Sequence, residues 1–184
     1  SIIVDSNFSK LNLEKIYKVN KSRIEVIPFE ALKFIKDVDL NKKTSSNILL
    51  KYKVKNKYIF YPAQLWPHKN HIYILKGIYL LEKKHNILLD AVFAGGDKGN
   101  KQHISDYAKQ LGIADRLIFT GFLTNQELIC FYKMSEALVM PTFFGPTNIP
   151  PIEAFKLGVP LIYSDLDGLR DQVKEAALLV DLYD

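Results

Sequence analysis

The fold is decided by residues 137–165, which read ALVMPTFFGPTNIPPIEAFKLGVPLIYSD. The apolar run 137–142 is followed by a loop that contains Gly145, and then by two adjacent prolines. Proline is tolerated in the first turn of a helix, because its missing N–H would have no helical partner there. A second apolar run ends at Asp165. The stretch therefore predicts a strand, a loop, a helix over 150–157 and another strand.

The same alternation extends on both sides of this stretch, from Lys57 to the end of the chain. Strands are predicted at 57–63, 88–96, 116–122, 137–142, 160–165 and 177–182. Helices are predicted at 70–84, 101–111, 125–134, 150–157 and 169–174. Strands that are apolar nearly throughout are typical of a parallel sheet covered on both faces. The predicted fold class is α/β, a doubly wound, mostly parallel sheet with helices on both faces.

The first 28 residues predict a smaller β-α-β piece. Its strands are expected at 1–5 and 23–28, and the helix between them, over 7–19, would be capped by Ser6 or Asn7. Residues 29–56 lose this periodicity and contain a polar run, 41–47, that is typical of a linker or exposed loop. We therefore expect a domain boundary at 29–56, with the main domain over 57–184.

The composition narrows the function classes. A net charge of +5 suits phosphorylated ligands, an anionic membrane face or nucleic acid, and does not choose between them. The lysines are scattered and RNA-recognition signatures are absent, so no nucleic-acid partner is expected. The single cysteine, Cys130, excludes an internal disulfide and fits a reducing compartment.

Unusual residues follow the predicted strands, at the edge where α/β sheets bind ligands. The loop 145–149 would present backbone amides to an anion at a helix N-terminus. The alternative is a tight strand-to-helix turn, with Glu153 as a surface residue that offsets the helix dipole. Lys69 would add a positive charge there, or is a solvated lysine. Gly95 and Gly96 only partly match a dinucleotide-binding loop.

Other chemistries find little support in the sequence. His68, His71, His85 and His103 show no metal-ligand spacing with cysteine or carboxylate partners. The Gly-x-Ser-x-Gly elbow of hydrolases is absent, and so is a full Gly-x-Gly-x-x-Gly at the first crossover. We therefore expect no metal site, no hydrolase triad and no nicotinamide cofactor.

The order of four motifs resembles a known family. These are RLIFTGFL (116–123), Glu127-Leu128, Phe131-Tyr132 and the stretch 137–165. Together they resemble the C-terminal half of GT-B glycosyltransferases, and more narrowly the retaining group 1 family, glycosyltransferase family four. That family includes mannosyltransferases of capsule and O-antigen synthesis. The resemblance covers about 57–184, and the order of the motifs is more specific than any one of them.

The resemblance implies that this half binds a nucleotide-diphosphate sugar, with Lys69 and Glu153 as catalytic residues. Lys69 would neutralise the departing diphosphate, and Glu153 would hold the ribose hydroxyls. The sugar and diphosphate would meet Gly145, Pro146, Thr147, Asn148 and Ile149. The base pocket would be lined by Gly95, Gly96, Gly121, Phe122 and Leu123. No metal or other cofactor would be required.

Two positions depart from the family pattern. Gly145 stands where the family has the first of two glutamates, and Gln64 stands where it commonly has an arginine. A glutamine in place of a guanidinium removes a bidentate phosphate contact. These departures favour a second hypothesis, a binding module that has lost its chemistry. A third hypothesis is a nucleotide-sugar epimerase of the same fold.

The resemblance also implies that the chain is a fragment. Residues 1–28 would be the last part of an acceptor-binding domain, whose remainder would bind a saccharide or lipid-linked saccharide. The full-length protein would be cytoplasmic, with peripheral contact at the inner face of the membrane.

Overall fold

The computed structural model describes residues 1–30, 40–145 and 147–183. The strands in these ranges are β1 (Ile2–Val4), β2 (Ile24–Val26), β3 (Tyr58–Pro62), β4 (Asp90–Ala94), β5 (Leu117–Gly121), β6 (Ala137–Met140), β7 (Leu161–Ser164) and β8 (Leu178–Val180). The helices are α1 (Asn7–Tyr17), α2 (Lys42–Lys51), α3 (His71–His85), α4 (Lys101–Gln110), α5 (Asn125–Met134), α6 (Ile149–Leu157) and α7 (Leu169–Val173).

The main sheet confirms the predicted fold class. Its six strands are parallel and follow the order β5-β4-β3-β6-β7-β8. The chain winds outward from β3 in one direction, returns to β6 beside β3, and then winds outward in the other. This reversal is the topological switch point of a doubly wound sheet.

The central strand β3 shows that helices cover both faces of the sheet. All but its last residue are buried, and successive side chains of a strand point to opposite faces. Phe60 stacks on Phe131 of α5, with ring centroids 5.6 Å apart, whereas the neighbouring Tyr61 contacts His71 of α3 at 4.9 Å. Helix α3 also packs against α4, and α5 packs against α2 and α6. A strand buried between two helical layers explains the uninterrupted apolar run.

The N-terminal piece forms the predicted β-α-β unit. Strands β1 and β2 pair in parallel and make a separate two-stranded sheet. Ser6, the first of the two candidate caps, accepts a hydrogen bond from Ser9 N at 3.2 Å and begins α1. The domain boundary at 29–56 stays a prediction.

The linker prediction for 29–56 is wrong in its second half. Residues 42–51 form α2, whose N-cap Asn41 accepts a hydrogen bond from Thr44 N at 2.9 Å. Most residues of the polar run are exposed, whereas Ser45 and Ile48 are buried and Ile48 joins the core. Few apolar positions in a short helix leave little periodicity to detect. Residues 31–39 lie outside the described residues.

Helix α2 is tied to α5 through Glu127. The carboxylate accepts hydrogen bonds from Lys51 and from the Tyr52 hydroxyl, and its other oxygen accepts from the backbone N–H of Thr124. The Thr124 side chain in turn caps the N-terminus of α5, which completes a capping box. Burial raises the pKa of Glu127, but these hydrogen bonds outweigh it and lower the pKa to about 2. None of the described helices is both long enough and apolar enough to cross a membrane.

Candidate functional site

The loops that follow β3 and β6 meet at the switch point. Phe143 N donates a hydrogen bond to the carbonyl oxygen of His68 at 2.9 Å, and the Thr142 hydroxyl donates to the same oxygen at 3.2 Å. These bonds join two segments that lie far apart in the sequence. They place the residues that follow each segment, Lys69 and Asn148, side by side.

Lys69 is a partly buried cation at this point. Its ammonium donates a hydrogen bond to Asn148 Oδ1 at 3.3 Å, and its carbonyl oxygen accepts one from the Tyr61 hydroxyl at 3.0 Å. Burial lowers the pKa of Lys69. Among the residues that the structure describes, no carboxylate forms an ion pair with it. An anion bound here would supply the charge that the protein does not.

Asn148 is held in place by two side chains from the following β-α unit. Its Nδ2 donates a hydrogen bond to the Tyr163 hydroxyl at 2.6 Å, and that hydroxyl donates to Gln172 Oε1 at 3.1 Å. Gln172 Nε2 also donates to the Asn148 carbonyl oxygen at 2.6 Å. Asn148 and Tyr163 are both buried. The sequence analysis missed Tyr163 and Gln172, since a tyrosine in an apolar strand and a glutamine in a short helix carry no motif.

Gly145 makes room for the Asn148 side chain. Its φ of 128° is one that glycine tolerates best. A Cβ at this position would lie 3.2 Å from both Oδ1 and Nδ2 of Asn148. A larger residue here would therefore press on the amide that contacts Lys69. Thr147 is half-buried and Ile149 is exposed; Pro146 lies outside the described residues.

Glu153 is placed differently from the expectation that it lies in the first turn of its helix. Helix α6 begins at Ile149, one residue earlier than expected, so Glu153 falls in its second turn. It is 4% exposed, and its Oε2 accepts a hydrogen bond from the Tyr132 hydroxyl at 2.7 Å. Burial raises the pKa of Glu153. The alternative of a surface carboxylate that offsets the helix dipole is therefore wrong.

The residues predicted to line the base pocket come together at the ends of β4 and β5. Gly95 N donates a hydrogen bond to the Gly121 carbonyl oxygen at 2.8 Å. A Cβ on Gly96 would lie 3.2 Å from the ring of Phe122, so this exposed ring lies over the glycine backbone. Leu123 instead packs against the core. Its place in the base pocket stays a prediction.

Gly95 cannot be replaced without moving the backbone. Its φ is 139°, and a Cβ would lie 2.7 Å from the carbonyl oxygen of Ala63. Gln64, which follows Ala63, is exposed and accepts a hydrogen bond from Trp66 Nε1 at 3.0 Å. The loops after β3 and β4 thus approach closely at this edge.

Exposed aromatic side chains surround the switch point, and the sequence analysis did not single them out. His68 stacks with Trp66, with ring centroids 6.3 Å apart, and meets the edge of Phe144 at 6.1 Å. Phe144 also lines a cleft of about 720 Å³ between α1 and the loop after β6. The nearby Val4, Phe8 and Leu13 make this cleft largely apolar. It lies where the N-terminal piece meets the main sheet.

The histidines do not assemble a metal site. His68 and His71 lie near Lys69, but no cluster of three or more His, Cys, Asp or Glu side chains within 1–30, 40–145 and 147–183 has the arrangement of metal ligands. The His71 ring is buried between Tyr61 and Phe93, and burial, with the charge of Lys69, lowers its pKa to about 3. His71 is therefore neutral at physiological pH.

The sequence profile of the family described as "Glycosyl transferases group 1" matches residues 41–184. The chain belongs to this family. Its match begins just before α2 and includes both loops of the switch point.

Curated relatives agree with this assignment at low identity. The chain is 26% identical over 176 residues to an uncharacterized glycosyltransferase of Methanocaldococcus jannaschii, covering 94% of this chain and 44% of the relative. It is also 26% identical to the O-antigen chain mannosyltransferase RfbU of Salmonella typhimurium, with 94% and 44% covered. The chain thus spans less than half the length of these two relatives.

Two solved structures share the fold. A glycosyltransferase from Rickettsia africae superposes with a TM-score of 0.85 at 17% identity, covering 98% of this chain and 49% of that one. The HepE protein of Anabaena, in complex with UDP-glucose, superposes with a TM-score of 0.80 at 16% identity, covering 97% and 49%.

Proposed function

We propose that this chain is the donor-binding half of a retaining glycosyltransferase of family four. It binds a nucleotide-diphosphate sugar for the transfer of mannose or a similar sugar in cell-surface polysaccharide synthesis. The observation that carries the proposal is the partly buried Lys69 at the switch point, without a carboxylate partner among the described residues. Membership of the group 1 family supports the reaction class.

The diphosphate would bind between the two loops of the switch point. Lys69 donates to an amide oxygen in the structure, which is a weaker acceptor than a phosphate oxygen. A bound diphosphate would stabilise the charged form of the Lys69 ammonium, which burial destabilises. The N-terminus of α6 adds the positive end of a helix dipole beside the same loop.

The nucleoside would extend toward the ends of β4 and β5. The backbone of Gly95, Gly96 and Gly121, with the exposed ring of Phe122, would contact the base. Glu153 is assigned to the ribose through Oε1, since Oε2 already accepts from Tyr132. The exposed aromatic rings at Trp66 and Phe144 would face the sugar or its acceptor.

The transfer breaks the bond between the anomeric carbon of the sugar and the diphosphate oxygen. A hydroxyl of the acceptor forms the new bond on the same face, and its proton passes to the leaving phosphate. Lys69 stabilises the negative charge that develops on the diphosphate. The acceptor, either a saccharide or a lipid-linked saccharide, would bind mainly to a domain that this chain does not include. The whole protein would act in the cytoplasm, at the inner face of the membrane.

Calorimetric titration of the chain with UDP, GDP, ADP and dTDP tests donor binding. Selective binding of one of them, with a dissociation constant on the order of micromolar to submillimolar, is the expected result. Activity is then tested on the full-length protein with the matching nucleotide sugar and an acceptor. Donor binding without transfer would instead favour a non-catalytic module, and interconversion of the free donor would favour an epimerase.

A further inference from the structure

A series of hydrogen bonds through two side-chain amides and one hydroxyl leads from α7 to the ammonium of Lys69. It runs from Gln172 to Tyr163, then to Asn148, and ends at Lys69 Nζ. Every link is a hydrogen bond between atoms 2.6–3.3 Å apart. Tyr163 is fully buried and Asn148 is 8% exposed.

The backbone of Asn148 fixes the direction of the first link. Gln172 Nε2 donates to the Asn148 carbonyl oxygen at 2.6 Å, and Gln172 Oε1 accepts from the Asn148 N–H at 3.2 Å. A carbonyl oxygen only accepts and an N–H only donates. The Gln172 amide therefore has one orientation, with Oε1 toward the Tyr163 hydroxyl.

This orientation propagates to Lys69. The Tyr163 hydroxyl has one proton, and it donates that proton to Gln172 Oε1. Its oxygen must then accept from Asn148, which turns Nδ2 toward Tyr163. Oδ1 of the same amide consequently faces Lys69, as a cation requires. If the Asn148 amide were reversed, two donors would face each other at Lys69 and two acceptors would face each other at Tyr163.

We propose that Tyr163 and Gln172 are positioning residues of the donor site, which act on the diphosphate through Asn148 and Lys69. This inference rests on the proposed function, since it assigns the diphosphate to Lys69. The hydrogen-bonded chain holds an acceptor beside the ammonium when no donor is bound. It thereby keeps the lysine side chain charged and directed to the switch point.

Two features support a role beyond packing. A phenylalanine would fill the space of Tyr163 equally well without its hydroxyl, yet this hydroxyl makes two hydrogen bonds. Gly145 leaves open the space that the Asn148 amide occupies, because a Cβ there would lie 3.2 Å from it. A polar network with a buried centre and every member paired fixes one arrangement of its groups.

Tyr163→Phe tests the proposal, and Tyr58→Phe is the matched control. Tyr58 is also buried, and its hydroxyl donates one hydrogen bond, to the Phe131 carbonyl oxygen at 3.1 Å. We expect Tyr163→Phe to weaken binding of the diphosphate that the titration identifies by about 3- to 10-fold. Binding of the corresponding nucleoside monophosphate should change much less. Tyr58→Phe should leave the ratio of the two affinities unchanged.

A Lys69→Met background shows whether the effect passes through the lysine. In that background Tyr163→Phe should cause no further loss of diphosphate affinity, as a coupled pair requires. A second readout needs no nucleotide: NMR titration of lysine-labelled protein should show a lower pKa for Lys69 in Tyr163→Phe, because the charged form loses a held acceptor.

The outcomes separate this proposal from the function it rests on. Equal losses for diphosphate and monophosphate, or an additional loss in the Lys69→Met background, would overturn the positioning role. An unchanged Lys69 pKa in Tyr163→Phe would also overturn it. If the unchanged chain binds none of the four diphosphates, the donor-binding proposal fails, and the NMR titration alone decides whether the chain of hydrogen bonds acts on Lys69.

Discussion

His71→Leu should make the protein more resistant to mild acid. The imidazole of His71 is fully buried and packs between the rings of Tyr61 and Phe93, each with its centroid 4.9 Å away. Within the described residues, neither of its ring nitrogens has a hydrogen-bond partner. Burial, together with the charge of Lys69, lowers its pKa from 6.5 to about 3.

The size of the effect follows from this difference in pKa. Between pH 6.5 and pH 3 the unfolded chain takes up a proton at His71 and the folded chain does not, so stability falls as the pH falls. One pKa unit corresponds to about 1.4 kcal/mol. At pH 5, the wild type should therefore have lost about 2 kcal/mol through this group.

Urea denaturation followed by circular dichroism measures the free energy of unfolding at pH 7.5 and pH 5. The wild type should lose about 2 kcal/mol more than His71→Leu between these conditions. The matched control is His103→Gln, because His103 is exposed on α4 and should leave the loss unchanged. Equal acid sensitivity of His71→Leu and the wild type would refute the assignment of the loss to His71.

Five further substitutions, one of them a control, test other parts of the structure. Glu127→Gln should lower the free energy of unfolding at pH 7 by about 2 kcal/mol in urea denaturation. The pKa of Glu127 is about 2 instead of 4.5, so the difference between the two proteins should vanish as the pH falls from 4.5 to 2. Gly95→Ala should cost about 2–4 kcal/mol by urea denaturation, since its Cβ would meet backbone, whereas Gly99→Ala, with open space around it, should cost about 1 kcal/mol. Lys69→Ala should weaken diphosphate binding more than monophosphate binding in calorimetry, and equal losses would argue for a general loss of stability instead. Glu153→Ala should weaken nucleotide binding by about 1–3 kcal/mol, and an unchanged dissociation constant would contradict the ribose assignment.

The strand and helix pattern of the main domain could be predicted because it follows from hydrophobic periodicity. Strands buried between two helical layers are apolar nearly throughout, and this property is visible in the sequence of β3 and, after Asp90, of β4. Helix α2 was not predicted, because its sequence is mostly polar. It packs only part of one face, so its polar majority is typical of a loop.

The candidate site could be predicted only as separate loops. The glycines of the base pocket and Lys69 follow strands that end at one edge of the sheet, and the resemblance to a family of glycosyltransferases assigned their roles. Neither the periodicity nor the resemblance indicated that Tyr163 and Gln172 direct the Asn148 amide. Their contact depends on hydrogen bonds between residues 15 to 24 positions apart along the chain.

The sequence by itself determined the layers of this protein and the edge at which a ligand would bind. Apolar strands that alternate with amphipathic helices can bury their surfaces in few ways, and the carboxyl ends of parallel strands meet at one edge. The tertiary structure alone decided which polar atoms face one another there. The direction of a hydrogen bond depends on the position of both partners. Glu153 meets Tyr132, and His71 lies between two rings, only when the layers pack and bury these side chains.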